Sequence, residues 1–403
     1  EVLWSPRQEL REQLVAEVRR RLRASWLQRG AALGELDWVD SVLDPDILTV
    51  GFARRVPSYK RLTLMLRNPE RLKRLLLHPE RPIQMVIAGK AHPADDGGKH
   101  LVQQIVQFSD DPAVRHRIVF LPDYDIGMAR VLLSGCDVWL NNPLRPLEAC
   151  GTSGMKAALN GVLNLSIRDG WWDEMFDGQN GWAIPTADGV DDPDRRDDIE
   201  SAALYDLLEN TVAPRFYDRD GRGGVPRRWT AMVKHTLSTL GPQVLASRMV
   251  REYVEQYYVP ACASARRVAA DNLAGARDLA AWKQRVRAAW SGVRVLNVDS
   301  AGLGDTPQVG QSLVVRANVD LGELSPDDVD VVVSYGRVDE TDRILAPSSS
   351  SLEPVGEGEG GRGYRYEGTV PLSRTGPFGY TVRVLPRHPL TVSPAELGLV
   401  ANP

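Results

Sequence analysis

The sequence predicts a doubly wound α/β domain built on a parallel sheet, followed by a small all-β domain. Three observations carry this prediction. From residue 46 to about residue 185, short runs that are apolar throughout alternate with longer amphipathic runs, the pattern of parallel strands covered on both faces by their connecting helices. After Val293 the grammar changes to alternating polar and apolar residues between Gly, Pro and Asp turns, the period of half-buried antiparallel strands. The chain's 403 residues exceed what one hydrophobic core usually organises. We therefore divide it into residues 1–291, an α/β domain with flanking helices, and residues 292–403, a β-sandwich of immunoglobulin-like character.

A charged amphipathic stretch, Glu9 to Leu27, comes first. The chain opens on Glu1 rather than a methionine and enters this stretch directly, so it reads as a fragment of something longer. Ile47 to Phe52 then predicts a strand, and the basic stretch from about Tyr59 to Leu77 a helix. The pair recurs as Ile83 to Gly89 with a helix near Gly97 to Phe108, and as Ile118 to Leu121 with Ile126 to Leu133. Val138 to Leu140 is a further strand, and two more apolar segments lie at Val162 to Ile167 and Gly181 to Ile184. Helices at about Ile199 to Val212, Arg228 to Thr239 and Pro242 to Tyr258 close this region, and another runs from about Ala274 to Ser291. In the second domain the strands are Ser312 to Val319, Val329 to Ser334, Tyr364 to Val370 and Phe378 to Val384. The stretch from Ser348 to Gly363, rich in Ser and Gly, predicts a mobile loop, and no chemical constellation stands out in this domain.

Composition narrows the function. Lysine and arginine number 49 against 53 acidic residues, a net charge of -4, which leaves no global basic field for nucleic acid or an anionic membrane. No stretch approaches the roughly 20 apolar residues of a membrane span, and the N-terminus lacks signal-peptide order, so a cytoplasmic enzyme is expected. Cys136, Cys150 and Cys262 form neither a metal pair nor an even disulfide framework. They are read as free thiols, and no metal site is expected.

In a doubly wound sheet, ligands sit at the carboxyl ends of the strands, and the informative residues cluster there. Glu148-Ala-Cys-Gly-Thr-Ser-Gly-Met-Lys156 leads from a strand end into a helical run. Its small residues would free backbone N–H groups at a helix N-terminus for a phosphate. Lys156, one turn in, would place an amine near a partly desolvated pocket, where lysine becomes a usable nucleophile toward an aldehyde cofactor. The same spacing also fits a Gly-rich helix start with an exposed lysine. Arg54-Arg55-Val-Pro-Ser-Tyr59-Lys60-Arg61, where the first strand ends, offers cations for an anionic substrate, or a solvated basic surface. Gly89-Lys90-Ala-His92-Pro93 and Asp123-Tyr124-Asp125 follow the second and third strands, so four consecutive strand ends carry polar or basic groups. His92 alone reads as a loop histidine and Tyr124 alone as a pocket wall. Trp171, Trp172 and Trp182 either line a sugar-facing loop or pack the core.

The run from Glu148 to Gly161 resembles the pyridoxal-phosphate segment of glycogen phosphorylases, in which Glu-Ala-Ser-Gly-Thr-Gly-Asn-Met-Lys bears the cofactor lysine. Arg54 to Arg61 is similar to the family's Lys-Arg, two to three residues, Glu-Tyr-Lys-Arg motif, and Gly89-Lys90-Ala to its Gly-Lys-Ala turn. The match covers roughly residues 40 to 260, in the manner of the shorter bacterial α-glucan phosphorylases with their Asn141-Asn142-Pro143 and Gly170-Trp171-Trp172-Asp173 segments. The resemblance implies the C-terminal Rossmann-like domain of a GT-B glycosyltransferase. Its implied activity is α-1,4-glucan phosphorolysis, releasing glucose 1-phosphate with inorganic phosphate and pyridoxal 5'-phosphate. It further implies that Lys156 forms a Schiff base and that Gly151, Thr152 and Tyr124 hold the cofactor phosphate. Arg55 and Lys60 would bind inorganic phosphate, while Glu148 and the backbone near Cys150 and Gly151 grip the terminal glucose. In this family the cofactor's phosphate exchanges a proton with inorganic phosphate, which protonates the departing glycosidic oxygen; the protein positions the groups and stabilises charge.

Four departures from the family pattern stand out: Cys150 replaces serine, Ser153-Gly154 replaces Gly-Asn, Arg54 replaces lysine, and Pro57-Ser58 stands where many members have His-Glu. The family's N-terminal half, which supplies the other cleft wall, is an expected partner, and without it these 403 residues are expected to show little phosphorolysis. A homo-oligomer is left open. Two other readings remain at this stage. A glycogen-synthase-like glycosyltransferase with a nucleotide-sugar donor shares the architecture and the basic strand-end clamp, but has no use for Lys156. A non-catalytic glycan-binding fragment would work through the β-sandwich alone.

Overall fold

The computed structural model of the protein describes residues 2–56, 58–219, 224–302, 308–358, 362–373 and 375–403. By contacts these fall into two compact units, 1–249 and 250–403. The first unit begins with α1 (Trp4–Gln28), then alternates β1 (Leu48–Arg55), α2 (Pro69–Leu76), β2 (Ile83–Lys90), α3 (Asp96–Ser109), β3 (Ile118–Leu121) and α4 (Ile126–Gly135). It continues with β4 (Val138–Asn141), α5 (Thr152–Leu159), β5 (Leu163–Ile167), α6 (Trp171–Met175), β6 (Gly181–Ile184), α7 (Pro193–Leu207), α8 (Ala213–Tyr217) and α9 (Arg227–Val244). Helix α10 (Ala246–Tyr253) spans the division.

The strands of the first unit form one parallel sheet in the order β3-β2-β1-β4-β5-β6. This is the doubly wound arrangement, with chain direction across the sheet reversing between β1 and β4. Alternation within each buried strand explains why the runs read as apolar throughout. Val50 and Phe52 of β1, Met85 and Ile87 of β2, and Val138 and Leu140 of β4 feed the core on one face. Ala53, Val86, Ala88 and Trp139 feed the core on the other, as period-two geometry requires. In both β1 and β2 only the last residue, Arg55 or Lys90, is exposed, and these two are register partners. Both strands therefore deliver charge at the same edge.

The basic stretch after β1 is not the single helix its periodicity suggested. Two 3-10 turns, Ser58–Lys60 and Leu64–Arg67, precede α2, and Arg61 adopts a left-handed backbone (φ 49°). The buried Arg61 guanidinium holds this bend by donating to the Asn142 and Pro143 carbonyls at 3.0 and 2.9 Å. Asn68 then restarts the helix, its side chain accepting from the Arg71 N–H at 2.9 Å with Pro69 in the first turn, a favoured start.

The second unit contains α11 (Val259–Ala289), non-helical at Ala270–Leu273, then β7 (Arg294–Ala301), β8 (Ser312–Asp320), β9 (Val329–Val338), β10 (Ile344–Glu357), β11 (Tyr364–Pro371) and β12 (Phe378–Pro386). Its strands form an antiparallel sheet, β12-β9-β10-β11-β8-β7. The sheet curls over a core that includes Val315, Val331, Val333, Val382 and, from α11, Trp282 and Val286. The two layers of the expected sandwich are joined through β10, whose first part pairs with β9 and whose last part pairs with β11. The loop expected over Ser348–Gly363 is therefore mostly strand, with residues 359–361 outside the described set. Leu352 is the single buried residue of β10; a strand exposed on both faces has no hydrophobic signature, and its pairing rests on the backbone. No described helix is long and apolar enough to cross a membrane.

Candidate active site

The carboxyl edge of the parallel sheet collects the charged groups. Arg54, next to last in β1, is buried and donates to Asn141 Oδ1 at the end of β4, across the switch point where ligands of such sheets bind. Its guanidinium also lies 3.9 Å from Glu148 Oε2 and 4.6 Å from the Phe52 ring centre. The Lys60 ammonium forms an ion pair with the same Glu148 oxygen, so two cations face one buried carboxylate. Arg54 Nε and Nη1 are left without acceptors. Burial pulls the Arg54 guanidinium down to about 10, against the opposing pull of Glu148, which still leaves it cationic at neutral pH. An edge with surplus buried positive charge and unused donors is chemically suited to an anion.

Backbone contacts fix the Glu148 loop. The buried Asp169, just past β5, accepts from the Glu148 N–H at 2.9 Å and from the Gly170 N–H at 3.0 Å. The Trp171 N–H donates to the Cys150 carbonyl at 3.1 Å. Gly170 (φ 54°) lies so close that a Cβ would sit 2.6 Å from the Cys150 oxygen and 2.8 Å from the Glu148 oxygen. The sequence reading did not single out Asp169; the available signal was an acidic residue directly after an apolar strand.

Gly151 ends this loop in the left-handed region (φ 86°) and caps α5, a conformation glycine adopts without a Cβ penalty. The turn leads into the start of α5, where the first N–H groups lie outside the helical ladder. Lys156, one turn further, is exposed, as are Thr152 and Arg55, and their side chains have no hydrogen-bond or ion-pair partner among the described residues. The half-buried Tyr124 phenol is pushed up by burial and held back by Arg54. Cys150 is exposed and its thiol is pushed up, first by burial and then by Glu148 and Glu174.

Of the residues singled out from sequence, the structure therefore joins Lys60 and Glu148 directly, and Arg54 rather than Arg55 completes their cluster. Lys90 lies 3.8 Å from Asp123 in an exposed pair, and the exposed His92 accepts from the Ala94 N–H at 3.1 Å within its own loop. Trp171, Trp172 and Trp182 are buried: the Trp172 ring packs on Trp171 and Phe176, and the Trp182 ring on Trp229; they are core. Of the departing pair Pro57-Ser58, Pro57 lies outside the described residues.

Family models match two stretches of the chain: carbohydrate phosphorylase over residues 37–178 and the glycogen phosphorylase C-terminal domain over residues 290–403. A glycogen phosphorylase of Mycobacterium tuberculosis is 61% identical over 398 residues, 99% of this chain and 46% of the relative. The maltodextrin phosphorylase of Thermococcus litoralis is 37% identical over 406 residues, again 99% of this chain and 46% of the relative. A glycogen phosphorylase of Aquifex aeolicus is 46% identical over 258 residues, 64% of this chain and 37% of the relative. The chain thus spans about half the length of the curated relatives it matches. With two phosphorylase models and relatives aligned along almost its whole length, the chain belongs to the α-glucan phosphorylase family.

Proposed function

We propose that the protein serves α-1,4-glucan phosphorolysis: a terminal glucosyl unit passes to inorganic phosphate, releasing glucose 1-phosphate and a shortened glucan. The activity is that of a glycosyltransferase with pyridoxal 5'-phosphate held at Lys156. The observation that carries this reading is the buried Arg54 and the half-buried Lys60 around one carboxylate at the switch point of the sheet, with an exposed lysine one turn into α5. The residues present fit the cofactor. The free N–H groups opening α5 at Thr152 and the Tyr124 hydroxyl suit its phosphate, and the exposed Lys156 amine suits its aldehyde. When bound, the cofactor supplies a phosphate whose second ionisation, near pH ~6, suits proton exchange with inorganic phosphate.

The chain's own groups do the positioning. The fork of Arg55, unpaired among the described residues, and the Lys60 ammonium would hold the incoming phosphate dianion, and Arg54 would supply a fixed positive field. Glu148, released in part from Lys60 as phosphate takes up that charge, would accept hydrogen bonds from the glucose hydroxyls. Asp169 keeps the Glu148 backbone in place through either state. The missing span of the longer relatives would close the cleft and exclude water, so the 403-residue chain alone is expected to release little glucose 1-phosphate.

Borohydride reduction of the chain with pyridoxal phosphate, followed by peptide mass analysis, tests the assignment. Attachment on the peptide containing Lys156 is expected. A folded chain that labels equally in a Lys156→Ala variant would overturn the cofactor assignment and restore the nucleotide-sugar reading.

A further inference from the structure

The opposite edge of the same sheet carries a second concentration of unpaired positive charge. The Tyr217 hydroxyl donates to the Pro82 carbonyl at 2.6 Å and accepts from the Leu48 N–H at 3.3 Å, so it bridges the amino ends of β1 and β2. Around this bridge opens a groove of about 570 Å³, lined by Arg81, Arg215 and Arg228 together with Asn210 and Thr211. A smaller hollow of about 290 Å³ shares Arg81 and Asn210 with it and adds Arg74, His78 and Glu209, the last paired with Arg71 at 2.6 Å. A volume of several hundred cubic ångströms suits a small organic ligand.

The charges are unbalanced. Glu80 and Asp218 also line the groove, but Asp218 pairs with Arg228 at 3.7 Å, and neither Arg81 nor Arg215 has an acidic partner among the described residues. Arg215 and Arg228 both line the groove, and the Arg215 guanidinium is lowered by burial and then by Arg228. Its Nη1 lies 3.9 Å from the Met232 sulfur. Local geometry holds the arginines in place: His78 Nδ1 accepts from the Glu80 and Arg81 N–H groups at 3.2 and 3.0 Å. Asn210 and Thr211 lie in a π-helical turn, Leu208–Val212, immediately before α8. Such turns are uncommon and concentrate at functional sites, because they project side chains a regular helix would withhold.

We propose that this groove binds a small phosphorylated ligand, its phosphate forked by Arg81 and Arg215 and its hydroxylated body hydrogen-bonded by Asn210 and Thr211. Among the described residues Arg81 and Arg215 together exceed the one unpaired carboxylate beside them, Glu80, by one positive charge, and their planar forks suit a phosphate better than a single carboxylate. The site lies across the full strand length from Arg54 and Lys60 and is independent of the activity proposed above.

The test separates the two phosphate-binding edges. In an Arg55→Gln, Lys60→Gln background, glycerol 2-phosphate is titrated at constant ionic strength, with binding followed by calorimetry. Millimolar or tighter binding is expected to persist there, and to weaken about tenfold on Arg81→Gln and again on Arg215→Gln. Arg215→Lys should restore part of the affinity, and Lys156 labelling by cofactor should be unchanged in every groove variant. Absence of binding in the background, or binding indifferent to Arg81 and Arg215, would overturn the proposal. An Arg215 variant that fails to fold leaves Arg81→Gln, at a half-buried position on the groove wall, as the deciding measurement.

Discussion

Two buried carboxylates, one in each unit, show opposite styles of satisfaction. Asp328 of the second unit is saturated: the Arg285 fork donates to it at 2.7 and 2.8 Å, Trp282 Nε1 at 2.9 Å, and the Ser325 N–H and hydroxyl at 3.0 and 2.9 Å. Glu148 of the first unit faces two cations, one of which keeps two nitrogens unused. A saturated ion pair has nothing left to offer a ligand, and its energy goes into holding α11 against the start of β9. An unsaturated one keeps binding capacity at the expense of stability, which is where functional sites are expected. The difference teaches where to look when side-chain types alone are ambiguous.

The comparison breaks most visibly at Lys156. Lys156→Ala should abolish reducible cofactor attachment while leaving the melting curve nearly unchanged, since the side chain is exposed and has no hydrogen-bond or ion-pair partner among the described residues; loss of the fold with loss of the cofactor would argue instead for a structural lysine. Next in size, Asp328→Asn should destabilise the second unit by about 3 kcal/mol in denaturant, because several buried donors lose their charged acceptor. The pH dependence follows in sign. Arg285 first, and the Ser325 and Trp282 donors after it, hold the Asp328 carboxyl well below the usual range. Its contribution is therefore complete above the unfolded value, about 3.9, and is lost as pH falls below that toward the lower folded value. Acid titration of Asp328→Asn should show a flatter limb below pH ~4 than the parent.

Gly170→Ala comes third. A methyl group 2.6 and 2.8 Å from two carbonyl oxygens must displace the 148–151 loop, at roughly 2 kcal/mol, with weaker cofactor retention as the second readout. Cys150→Ser should be smallest, within about 0.5 kcal/mol by thermal melting, because the side chain is exposed and the loop is held through its carbonyl; a larger loss would show that the thiol itself matters.

What was legible in the sequence followed from burial. Strands β1 to β4 were readable because burial on both faces leaves an unbroken apolar run, and the meeting of Lys60 with Glu148 lies where the strand-end rule directs attention. The helix expected over Tyr59–Leu77 failed because a tertiary anchor, buried Arg61, overrides local periodicity. Strand β10 was hidden because its partners are backbone groups, which composition does not report. The division of labour between Arg54 and Arg55 was equally invisible: adjacent residues on a strand point to opposite faces, and only the structure shows that Asn141 and Glu148 lie on the Arg54 side.

The shared strand β10 has a mechanical consequence. Two separate layers could part along the seam between them, each opening at its own free energy. Here Ser349 to Leu352 bond to β9 and Glu353 to Glu357 bond to β11, within one unbroken stretch of chain. Neither layer can loosen without pulling on the other. Amide exchange along β9 and β11 should then proceed through a common opening event, and a lesion confined to one layer should be felt equally by its opposite number.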